Sequence, residues 1–152
     1  MSAFRAPAKF FDFPNLHYHP YAYDVGVIQP EGLTVDVAAS YAHYLNFEQS
    51  IPALIQSEVA YLQANAIQLV IGDMPPIAFD IAHEAGLKSI AITNFTWDWI
   101  YEAYLADFAG FAAPIERIKA SYAQATLALV LPFAHDFSIS LMCKTSPSWS
   151  MK

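Results

Sequence analysis

From residue 34 onward, apolar side chains return along the chain in two alternating periods, one that fits helices and one that fits strands. Val37, Tyr41, Tyr44 and Leu45 fall at i, i+4, i+7 and i+8, the spacing of one helix face, and Thr34 stands where an N-cap belongs. The pattern predicts a helix ending near Phe47. Ser50 and Pro52 then mark the start of a second helix, because proline is tolerated in a first turn, where its missing N–H has no intrahelical partner to lose. Its stripe is Ile51, Leu54, Ile55, Val59 and Leu62, with Gln56, Ser57, Gln63 and Asn65 lying off it.

Ile67 to Gly72 is a short run rich in β-branched residues and predicts a strand. Pro75 and Pro76 open a short helix that carries Ile77, Phe79, Ile81 and Ala82, and Gly86 closes it in the C-cap position. Lys88 to Thr93 predicts a second strand. Strand, helix and strand in this order form a βαβ unit, with parallel strands and a right-handed crossover. A longer helix follows on Trp97, Ile100, Tyr101, Tyr104, Leu105 and Phe108. Pro114 starts another, with Ile115, Ile118 and Tyr122 inward, and Thr126 to Leu131 makes a third strand stopped by Pro132. The fold class is therefore α/β, a partial Rossmann-like parallel sheet flanked by helices, over residues 33–137. Residues 1–32, punctuated by Pro7, Pro14, Pro20 and Pro30, read as an irregular segment. Residues 138–152 have no periodicity and read as a flexible tail.

Composition narrows the class. With 152 residues the chain suits one domain, and with 56% hydrophobic and 14% charged residues it is too apolar for disorder to be its main state. Net charge is -7 and no cluster of Lys and Arg occurs, which argues against nucleic-acid binding through phosphate neutralisation. Cys143 is the single cysteine, so no disulfide forms within the chain and no CxxC pair is present for zinc. The residues after Met1 lack the apolar stretch of a secretory signal. The longest apolar run, Ala125 to Ala134, falls short of the roughly 20 residues that a membrane span needs. A cytoplasmic protein without a membrane span is expected.

In open parallel sheets, ligands sit beyond the carboxyl ends of the strands. The residues there are Asp73 after the first strand, and Asn94, Thr96, Trp97 and Asp98 after the second. Asp73 is the candidate catalytic base, able to take a proton or hold a hydroxyl, and the other four are candidate substrate-binding residues. Helix capping would select the same residue types: Asp73 for the helix after Pro75, and Asn94 or Thr96 for the helix at Trp97. Spacing puts Trp97 on the apolar stripe and leaves Asp98 and Trp99 as an exposed pair, suited to stacking on a sugar ring or to meeting a partner domain. His17 and His19, with Asp12 and Asp24 nearby, read as loop residues, and no metal site is expected. His43 and His83 fall on polar helix faces, His135 follows the third strand, and no Gly-x-Ser-x-Gly elbow supplies a nucleophile. Neither GxGxxG nor GxxxxGK[ST] occurs. Prolines stand at 75 and 76, where a phosphate would seek free N–H groups, so no nucleotide phosphate site and no cofactor are expected in this chain.

Two segments carry a family resemblance. Leu69-Val-Ile-Gly-Asp-Met-Pro-Pro-Ile-Ala and Ala85-Gly-Leu-Lys-Ser-Ile-Ala-Ile-Thr-Asn-Phe-Thr-Trp-Asp-Trp-Ile-Tyr resemble the glycosyltransferase-like N-terminal region of the plant L-arabinokinase type and its bacterial relatives. The likeness runs back through Gly32 to Asp36 and the Glu58 to Leu62 helix, and forward to about Phe133. It implies a GT-B architecture of two Rossmann-like domains facing a cleft, the first holding a sugar or glycan acceptor and the second a nucleotide-sugar donor, with no metal generally required. Asp73, Asn94, Thr96, Trp97 and Asp98 are the positions it carries over as cleft-facing.

The family's opening strand with its Gly/His-rich loop, its second Rossmann-like domain and the kinase domain of the plant protein have no counterpart in this sequence, and 139–152 departs from the pattern. The expectation is a fragment of the acceptor-side domain, inactive alone. A non-catalytic interaction or regulatory domain of sugar metabolism, or the product of a truncated gene, are the alternatives. An incomplete sheet should also leave an edge and a helix face uncovered.

Overall fold

The computed structural model describes residues 21–131. Asp12, His17, His19, His135, Cys143 and the expected 138–152 tail lie outside them. Within them the order is helix α1 (Val37–Ala64), strand β1 (Leu69–Gly72), helix α2 (Ile77–Glu84), strand β2 (Lys88–Thr93), helix α3 (Trp97–Glu102), a single 3₁₀ turn (Ala109–Phe111), helix α4 (Ala112–Tyr122) and strand β3 (Leu127–Val130). The sheet is parallel, in the order β1-β2-β3, with Gly72 opposite Ala91 and Thr93 opposite Val130. The expected α/β class and the partial Rossmann-like sheet are what the chain forms.

Several helix boundaries differ from the sequence reading. The helices expected on either side of Ser50 are one helix, with Pro52 inside it. Proline removes the hydrogen bond to the carbonyl four residues back, a local cost that the chain offsets by packing. Tyr44, Ile51 and Glu58 are buried at steps of seven, so both halves present one face, and breaking the helix would turn half of it away from α2. The N-cap is Asp36, not Thr34: Asp36 Oδ1 accepts from the Ala39 N–H at 2.9 Å. Thr34 instead closes a tight turn on Glu31 through Gly32, whose φ of +57° suits glycine.

The helix expected through Phe108 stops at Glu102. Three-residue hydrogen bonds from Tyr104 to Tyr101, Leu105 to Glu102 and Asp107 to Tyr104 continue it as tight turns. These turns keep Tyr104, Leu105 and Phe108 against the core, which is why the spacing resembled a helix. Gly110 then passes so close to Phe108 and Tyr41 that a Cβ would lie 2.6 Å from the Phe108 ring.

The main core gathers Tyr44, Phe79, Tyr101, Phe111, Ile115, Ile118 and Tyr122, and a smaller cluster of Ile51, Ile77 and Ile81 joins α1 to α2. The ring centres of Tyr101 and Phe111 lie 4.6 Å apart. Asp80 of α2 fixes α4 across the core: Oδ2 accepts from Ser121 Oγ at 2.8 Å and Arg117 Nη2 at 3.1 Å, and Oδ1 accepts from Gln124 Nε2 at 2.6 Å.

Strand alternation divides the sheet sharply. Gly72, Ser89, Ala91 and Thr93 point to one face and are buried. Leu69, Ile71, Ile90, Ile92, Leu127 and Leu129 point to the other and belong to neither core cluster; Ile71 is 60% exposed. Both crossovers run in the same direction across the sheet, so a common hand brings their helices to the same side. The surface left without helix cover among the described residues is therefore a sheet face, where an uncovered helix face was expected.

Candidate functional site

The loops after β1 and β2 leave the same end of the sheet, so parallel pairing alone brings Asp73 and Asn94 to one edge. Asp73 is exposed and Asn94 half-buried. The β1 loop turns sharply at Met74, a non-glycine residue at φ +72°. In the β2 loop, Thr93 Oγ1 donates to the Phe95 carbonyl and accepts from the Phe95 N–H, which folds the chain over before α3.

Asp73 does not cap α2: the N-cap position belongs to Pro76, and no side chain bonds there. Its carboxylate stands clear of helix capping. Thr96 does occupy the N-cap position of α3, with an extended backbone, yet its side chain makes no capping bond. It is 1% exposed, and Oγ1 has no hydrogen-bond partner among the described residues.

Asp98, expected on the surface beside Trp99, is buried at 7% exposure, and its Oδ1 also lacks a partner. The reason is packing: α3 lies along α4, which turns the Asp98 side of the helix inward and leaves Trp99 39% exposed. Orphaned buried oxygens are uncommon and cost about 1–3 kcal/mol each. Both of these oxygens lie in the short segment that follows the β2 loop.

Trp97 packs on the main core, and its indole Nε1–H donates to Asp24 Oδ2 at 3.2 Å. Burial raises the Asp24 pKa above the ordinary carboxylate range, and the bond from Trp97 opposes that shift. Asp24, Phe47, Pro76, Trp97 and Tyr101 line a small half-open pocket at this end of the molecule. Among the described residues, no three His, Cys, Asp or Glu side chains gather as metal ligands. No described helix is long and apolar enough to cross a membrane.

Sequence reasoning missed two contributors. Asp24 lies 73 residues from Trp97 in the chain, and no local pattern links them. Tyr122 reads as an inward aromatic on a helix, which it is, but its hydroxyl also reaches both strand-end loops, bonding the Met74 carbonyl and the Trp97 N–H. Nothing in helical spacing encodes the destination of a phenol oxygen.

A three-stranded parallel sheet flanked by helices, with Asp73 and Asn94 beyond its strand ends, defines an α/β protein with a partial Rossmann-like fold. The chain is 34% identical over 93 residues to L-arabinokinase of Arabidopsis thaliana, a match that covers 60% of this chain and 9% of that protein. The chain thus corresponds to a small part of the relative. No protein-family model and no solved structure matches it.

Proposed function

We propose that this chain belongs to the acceptor-binding side of a glycosyltransferase-like domain of the GT-B type and serves sugar metabolism. A sugar hydroxyl would sit between Asp73 and Asn94, with Trp97 at the wall and Thr96 and Asp98 beneath it. In the full reaction, the acceptor oxygen forms a bond to the anomeric carbon of a nucleotide sugar. The bond from that carbon to the diphosphate breaks, the nucleoside diphosphate leaves, and the hydroxyl proton passes to the Asp73 carboxylate. The donor belongs to a second Rossmann-like domain, so the chain alone binds acceptor without transferring sugar.

The observation that carries this reading is the exposed Asp73 carboxylate, free of any capping duty, on the same sheet end as Asn94. The similarity to L-arabinokinase adds the sugar. Because that relative is named for a kinase, a second reading follows: a sugar-binding domain that regulates phosphorylation elsewhere and needs no base.

Saturation-transfer NMR with free pentoses and hexoses, L-arabinose first, tests binding. The reading expects transfer to sugar protons in the wild type, loss of it in Asp73→Ala and Asn94→Ala, and unchanged unfolding for both variants. Transfer that survives in Asp73→Ala but fails in Asn94→Ala favours the regulatory reading. Transfer unaffected by either variant moves the site elsewhere.

A further inference from the structure

Tyr122 ends α4, and its phenol oxygen lies between the two loops that leave the sheet. The hydroxyl donates to the Met74 carbonyl and accepts the Trp97 backbone N–H at 3.4 Å. The residue is 2% exposed, and its ring lies 5.7 Å from that of Phe79, itself fully buried, so the oxygen has little freedom to move. Each loop has its own need for this contact. Met74 holds a left-handed backbone that a non-glycine residue resists. The Trp97 N–H, at the start of a helix that the Thr96 side chain leaves uncapped, has no partner within that helix and finds one in the Tyr122 hydroxyl.

We infer that Tyr122 is a positioning residue whose hydroxyl holds the Asp73 loop and the Asn94 loop in a fixed relation, so that displacing one loop displaces the other. Its bearing on sugar binding rests on the reading given above; the coupling is a property of the free protein. Burial, reinforced by the carboxylates of Asp98, Asp24 and Asp73, raises the Tyr122 pKa above its ordinary value. The phenol therefore keeps its proton, and remains a donor to Met74, throughout the neutral range.

The test is Tyr122→Phe in the full chain, followed by amide hydrogen exchange and by ¹H–¹⁵N shifts. Phenylalanine fills the same space and removes only the oxygen. Loop amides on both sides, 73–77 and 94–98, should shift together, and the Trp97 amide should exchange at least tenfold faster, while Ala91 and Ile115 keep their rates. Uniform acceleration of all core amides would reduce Tyr122 to a packing residue, and a response in only one loop would overturn the coupling.

Should Tyr122→Phe not fold, Met74→Gly with Tyr122 intact gives the converse test. Relaxing the first loop must then move the amides of Asn94 and Trp97 in the second, and stationary amides there refute the link. In L-arabinose titrations, Tyr122→Phe should weaken any wild-type binding at least tenfold. A wild type that binds none removes the sugar reading and leaves the exchange data to decide the coupling.

Discussion

Asp24 accepts a hydrogen bond from the indole of Trp97, joining an irregular N-terminal segment to the first residue of α3 at 3.2 Å. Burial raises the Asp24 pKa in the folded state, so between its unfolded value near 3.8 and the raised value the folded chain binds more protons than the unfolded one. The contribution of this group to stability is therefore full below the unfolded pKa and is lost as pH rises through the folded pKa. Asp24→Asn keeps an acceptor for Trp97 and abolishes the titration. It should be at least as stable as the wild type at pH 7, with the gain vanishing as pH falls below about 3.8. Thermal unfolding followed across that range checks the sign.

Asp80 is the polar joint between α2 and α4. Asp80→Ala leaves the buried Ser121 hydroxyl without its carboxylate partner and should destabilise the fold by about 2–3 kcal/mol. The Arg117 side chain is 40% exposed and turns to water when the carboxylate is lost, so the ion pair adds little to that figure. Urea unfolding should show a lower midpoint with an unchanged slope.

Neighbouring residues of β1 should respond unequally to small changes. A Cβ at Gly72 would meet the Phe79 ring at 2.9 Å, and Phe79 is fully buried, so Gly72→Ala should cost about 1–3 kcal/mol. Ile71 lies on the uncovered face, and Ile71→Thr keeps β-branching there, so its cost should stay below about 1 kcal/mol. Denaturation midpoints of the pair measure how one-sided the sheet is.

Pro52 is exposed and interrupts the hydrogen bonding of α1 without ending it. Pro52→Ala restores an N–H for the Glu48 carbonyl and should stabilise the fold by about 1–3 kcal/mol, seen as a raised melting temperature.

These residues also show what the sequence could tell. Lys88 to Thr93 was readable to the residue, because a β-branched run between a C-terminal glycine and a polar loop admits little else. The parallel order followed from the βαβ pattern, and with it the edge shared by Asp73 and Asn94.

Pro52 misled because local propensity says nothing about the buried face that α1 shares with α2. The surface position expected for Asp98 fails for a related reason: an apolar stripe reports one buried face of a helix and not the second face on which α4 packs. The contacts from Asp24 to Trp97 and from Tyr122 to both loops depend on chain separations that no periodicity reports.

The central claim is that a sugar binds where the loops after β1 and β2 meet. A ¹H–¹⁵N titration of the full chain with L-arabinose tests it most directly. Saturable shifts centred on Asp73, Met74, Asn94 and Trp97, absent in Asp73→Ala, are the predicted result. Shifts centred instead on the uncovered face at Ile71 and Ile92, or a spectrum that does not change, would contradict it.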